Sequence, residues 1–131
     1  MRTATTIAQM TVRLAAVIQL ILGVVIWFGN DAPKLVHIVV GIVLVLGLWT
    51  LAVIGRSAGV DGRLVGLALV WGALAIAFGL TQEQILAGGG HLVIEVLHLV
   101  VGVGAVGVAE ALAARSKGAR PAGVPPAGAA A

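Results

Sequence analysis

The sequence predicts an all-α membrane protein, a four-helix up-down transmembrane bundle with both termini in the cytoplasm. Three observations predict it. Of 131 residues, 60% are hydrophobic and only 10% charged, with a mean hydropathy of +1.15; a soluble domain of this length cannot bury so much apolar surface. Residues 14–30, 35–55, 64–81 and 88–109 are free of Lys, Arg, Asp and Glu except for Glu95, each stretch being close to the ~17–25 residues of a bilayer crossing. Finally, Arg2, Arg13, Arg56, Arg63, Arg115, Lys117 and Arg120 fall on one side of a four-span zigzag and Lys34 alone on the other. That asymmetry marks the cytoplasmic side.

The net charge of +3 and the isoelectric point near 10.7 therefore report orientation in a membrane and not a nucleic-acid surface. Lipid is the expected surrounding, and a bacterial cytoplasmic membrane the expected location. The chain has no cysteine, which excludes disulfides, thiolate metal sites, c-type haem attachment and thiol redox chemistry.

Taken in order, the short polar start MRTATTIAQM can begin as helix ahead of the membrane. The first span is long for a signal-peptide core and lacks a cleavage site followed by a soluble domain, so it is expected to remain in place. NDAPK, residues 30–34, is a tight outer loop whose Asn, Asp and Pro favour a turn and a new helix at Pro33. GRSAGVDGR is an equally short cytoplasmic loop, making the second and third helices neighbours. The second outer loop, LTQEQILAGGG, is longer and has room for a helical turn before its glycines. Residues 1–115 are thus expected to form one four-helix domain. Residues 116–131, rich in Pro, Gly and Ala, are expected to be a disordered cytoplasmic tail.

An internal repeat selects the candidate site. HIVVG, residues 37–41, lies in the second span and HLVVG, residues 98–102, in the fourth; Phe28-Gly29 and Phe78-Gly79 stand at the outer ends of the preceding spans. A chain so rich in Val, Leu and Gly also produces such short matches by chance. In the fourth span, His91, Glu95, His98 and Gly102 share one helical face. Ionisable groups at that depth usually face the bundle interior and mark function.

Helices two and four lie diagonally opposite in an up-down bundle, so a histidine on each can reach one object on the axis. Two neutral imidazoles with a glycine one turn inward suit a haem b: His37 and His98 as axial metal ligands, Gly41 and Gly102 leaving room for the macrocycle. His91 is the alternative partner of His37, because His98 lies deeper if the fourth helix starts at Gly88. Lys34, one turn before His37, is placed to meet a haem propionate or to anchor the interface.

At these residues the chain resembles a known family. The HxxxG motifs of the second and fourth helices and QLILG, residues 19–23, look like one four-helix half of haem A synthase. The resemblance covers about residues 17–113. It implies a haem between His37 and His98, as also in small four-helix membrane cytochromes b. It does not extend to haem A synthesis: that family has eight helices, with a long first outer loop carrying a catalytic glutamate and often a cysteine pair, where this chain has only NDAPK.

The expected function is electron transfer by a b-type cytochrome, without bond-making catalysis. A quinone or another redox protein is the expected partner class, with an oligomer or a larger complex as a further expectation. Two alternatives use the same residues. In one, Glu95-x-x-His98 with His91 and His37 holds a single non-haem metal ion; in the other, the chain is a cofactor-free structural subunit of a membrane complex. Glu95 can otherwise fix a histidine tautomer, and Gln19 is expected to act as interhelical glue. Trp27 is expected at the membrane interface, with Trp49 and Trp71 deeper, packing or bordering a pocket.

Overall fold

The computed structural model describes residues 2–29, 33–85 and 90–118. Four helices account for most of them: α1 (Arg2–Trp27), α2 (Lys34–Ser57), α3 (Gly62–Thr81) and α4 (His91–Gly118), with one 3₁₀ turn at Gln82–Gln84. All four helices are long and apolar enough to cross a membrane. The N-terminal stretch belongs to α1 from Arg2 onward. α4 continues three residues past Arg115, so Ser116, Lys117 and Gly118 are helical where a tail was expected; the rest of that tail lies outside the described residues.

The ends follow from local chemistry. After α1, Gly29 takes a positive φ of 85° and its N–H donates to the Ile26 carbonyl, a conformation a side chain would resist. Residues 30–32 of the first loop lie outside the described residues. Pro33 caps α2, its carbonyl accepting from the His37 N–H at 2.9 Å; the helix starts one residue after the proline, at Lys34. At the other end of α2, Gly59 turns the chain with φ 81°. Val60 then donates back to the Gly55 carbonyl at 2.9 Å and is itself buried. Asp61 caps α3, its carboxylate accepting from the Arg63 N–H at 2.7 Å.

Residue contacts between neighbouring helices run in opposite order. Val12 packs on Gly47 while His37 packs on Gly23; Trp49 packs on Gly72, and Trp71 on Gly104. The indoles fill the space their glycines leave, each anchored by a hydrogen bond from Nε1: Trp71 to the Val101 carbonyl at 2.9 Å, Trp49 to the Leu69 carbonyl at 3.3 Å. Each of α1 and α3 touches α2 and α4. The latter two also meet across the diagonal, while α1 and α3 have no contact among the described residues. That flattened cross-section brings the inner faces of α2 and α4 together.

The tight core occupies one half of the bundle. Val12, Leu48, Leu51, Ala52, Ala68, Ala105, Ala109 and Leu112 are buried there, where α1 and α3 begin and α2 and α4 end. Outward faces carry Ile7, Leu14, Val53, Val70 and Val103, all exposed. In water such a surface would drive association; in lipid it is the ordinary exterior of a helix bundle. The histidines lie in the other, more loosely packed half.

Candidate functional site

His37, from the first turn of α2, and His98, from the third turn of α4, meet across the diagonal. Their ring centres are 6.2 Å apart and the planes are tilted by 44°. The Nδ1 atom of each ring is buried without a hydrogen-bond partner. An unpaired buried polar atom costs roughly 1–3 kcal/mol, so two at one place call for a ligand or a compensating role.

Each ring rests on a glycine of the preceding helix. A Cβ at Gly23 of α1 would lie 3.5 Å from His37 Cε1, and one at Gly79 of α3 would lie 3.2 Å from His98 Cε1. The two halves of the chain thus repeat a glycine-histidine contact, α1 with α2 and α3 with α4. The glycine that corresponds to Gly79 is Gly23 and not Gly29, which takes no part: Phe28 beside it is 86% exposed, whereas Phe78 stacks on His98 with ring centres 6.0 Å apart.

The glycines one turn inward from the histidines differ. At Gly102 nothing lies within 4 Å of where a Cβ would be, so the backbone borders open space. At Gly41 the place is taken by the carboxamide of Gln19, whose Nε2 would be 2.6 Å from such a Cβ. The Gln19 Oε1 is buried and unpartnered. Among the described residues, four buried side-chain polar atoms lack a partner, and three belong to Gln19, His37 and His98.

His91 opens α4 two turns before His98, its Nε2 3.8 Å from Glu95 Oε1, with both side chains about one-third exposed. Glu95 therefore faces His91, and the shared helical face does not gather three histidines. Among the described residues, no group of three or more His, Asp or Glu side chains is assembled where a metal ion could sit. This goes against the non-haem site of His37, His91, Glu95 and His98, since two imidazoles alone leave a bare ion short of ligands. A haem asks less of the protein, because its macrocycle supplies the remaining donors. Lys34 is the first residue of α2, one turn before His37.

A second polar cluster went unread in the sequence. At the opposite end of the bundle, Arg13 of α1 donates to both carboxylate oxygens of Glu110 on α4, at 2.7 and 2.8 Å. Gln9 donates to Glu110 Oε2 at 2.6 Å and accepts from Lys117 at 2.5 Å. The fork of donors on one carboxylate ties α1 to α4. Its only sequence signal is an acid at the boundary of the fourth span facing basic residues at the boundary of the first.

Comparison with protein-family models, curated proteins and solved structures finds no match.

Proposed function

We propose that this chain is a membrane b-type cytochrome-like protein that binds one haem b through His37 and His98 and transfers electrons. The observation that carries the proposal is the spacing of the two rings. With metal–imidazole bonds of about 2 Å, two imidazoles on opposite sides of one metal have ring centres roughly 6 Å apart; the rings here are 6.2 Å apart. The open backbone at Gly102 supports the same reading. When bound, haem supplies a one-electron ferric–ferrous couple.

The chain's own residues do the rest. His37 and His98 hold the metal; Gly41 and Gly102 flank the site, and Lys34 stands near its rim for a propionate. The bundle lies up-down across a bacterial cytoplasmic membrane with both termini inside, following the distribution of basic residues. This puts the histidine half toward the outer side. A quinone in the same membrane, or a redox protein, is the exchange partner.

The test is the absorption spectrum of the detergent-purified protein from haem-replete cells, oxidised and then reduced. A sharp Soret band with split visible bands on reduction and one haem per chain is expected. A colourless protein overturns the reading.

A second reading is favoured by the stacking of Phe78 on His98 and by the glycine under each ring. On these contacts, the histidines are packing residues of a cofactor-free subunit. It expects no colour, and lowered thermal stability on replacing either histidine.

A further inference from the structure

We infer that Gln19 is the positioning residue of the site, its carboxamide oxygen accepting the Nδ1–H of His37 when haem is held, so that the two axial histidines are inequivalent. The inference rests on the haem reading above and adds a third residue to it. α1 and α2 cross in register: Gly23 lies against His37, and Gln19, one turn away on α1, lies against Gly41, one turn away on α2. The Gln19 amide is therefore about one helical turn, ~6 Å, from the level of the His37 ring, on the same contact face. A glutamine side chain can span that distance.

Both atoms the bond would join, Gln19 Oε1 and His37 Nδ1, are buried and unpartnered. Each is a complement to the other: a carboxamide oxygen only accepts, and an imidazole Nδ1 carrying hydrogen only donates. Joining them satisfies two buried groups with one bond. It also fixes the imidazole tautomer that leaves Nε2 unprotonated for the metal, as partners of ligating histidines do.

The other half of the chain cannot do the same. Four residues before Gly79, where α3 would carry the counterpart of Gln19, stands Ala75, and correspondingly Gly102 borders open space. His98 has Phe78 stacked on it in place of an amide. The repeat thus offers one hydrogen-bonded and one apolar axial ligand.

The test compares wild type with Gln19→Leu. In the haem-loaded protein, the variant should retain haem about tenfold less tightly in competition with apomyoglobin, the lower end of what loss of such a partner costs, and should have a raised midpoint potential. In protein labelled with ¹⁵N-histidine, the His37 ring nitrogens should shift and those of His98 should not. Wild type without haem would sink the underlying reading. Wild type with haem, but Gln19→Leu matching it in retention, potential and His37 nitrogen shifts, would sink the role of Gln19 alone. Gln19→Leu losing haem while Gln19→Glu fails to restore it and the His37 nitrogens stay unmoved would make Gln19 a packing residue and equally overturn the inference.

Discussion

His37 stands three residues into α2 and His98 seven residues into α4, yet their rings lie 6.2 Å apart. Four residues of helix are about 6 Å. The N-terminal end of α4 therefore projects roughly one turn beyond that of α2, and His91 at its tip lies beyond the level of His37. Because α2 and α4 do not start at the same height, the depth of His98 along α4 does not favour His91 as the partner of His37.

The glycines beneath the rings give a graded prediction. Gly→Ala favours helix by up to about 1 kcal/mol, so the backbone tolerates both changes. At Gly23 the added methyl meets His37 at ordinary contact distance, 3.5 Å, while at Gly79 it meets His98 at 3.2 Å. Gly23→Ala should keep a wild-type visible spectrum, and Gly79→Ala should broaden it and lower haem retention severalfold. Equal behaviour of the two would mean that the rings are not seated on these glycines.

The Glu110 cluster, at the end of the bundle away from the histidines, predicts stability without chemistry. Glu110→Ala removes the acceptor of Arg13 and Gln9 together and should cost roughly 1 kcal/mol, a small amount because the carboxylate is partly exposed. Thermal unfolding in detergent should show a midpoint lower by a few degrees, with the histidine site unchanged. A stability equal to wild type would show that the cluster does not tie α1 to α4.

Orientation predicts that reporter fusions at Ala131 and within residues 82–90 lie on opposite sides of the membrane, with the C-terminal fusion cytoplasmic. A cytoplasmic reporter that is inactive at Ala131 and active in the loop would reverse the bundle.

What was legible in the sequence is what depends on local composition. The helices show in hydropathy alone, and HIVVG and HLVVG point to two side chains that the fold brings together. Contacts set by helix rotation and height were not legible. Nothing in QLILG says that Gln19 turns toward Gly41, or in VAE that Glu110 meets Arg13; each depends on which faces of α1, α2 and α4 meet. The Phe-Gly pairs misled for the same reason. Phe28 and Phe78 look equivalent in sequence, but Phe28 lies one residue past the end of α1 and is exposed, and Gly23, six residues before Gly29, takes the place corresponding to Gly79.

The central claim, that His37 and His98 are the two axial ligands of one haem, is tested most directly by low-temperature electron paramagnetic resonance of the oxidised protein alongside His37→Ala, His98→Ala and His91→Ala. Two axial imidazoles give a low-spin ferric signal, and loss of either removes a strong-field ligand. The account predicts a low-spin signal in wild type and His91→Ala, and its replacement by a high-spin signal or loss of haem in the other two variants. A low-spin signal that survives His98→Ala and disappears in His91→Ala would contradict it.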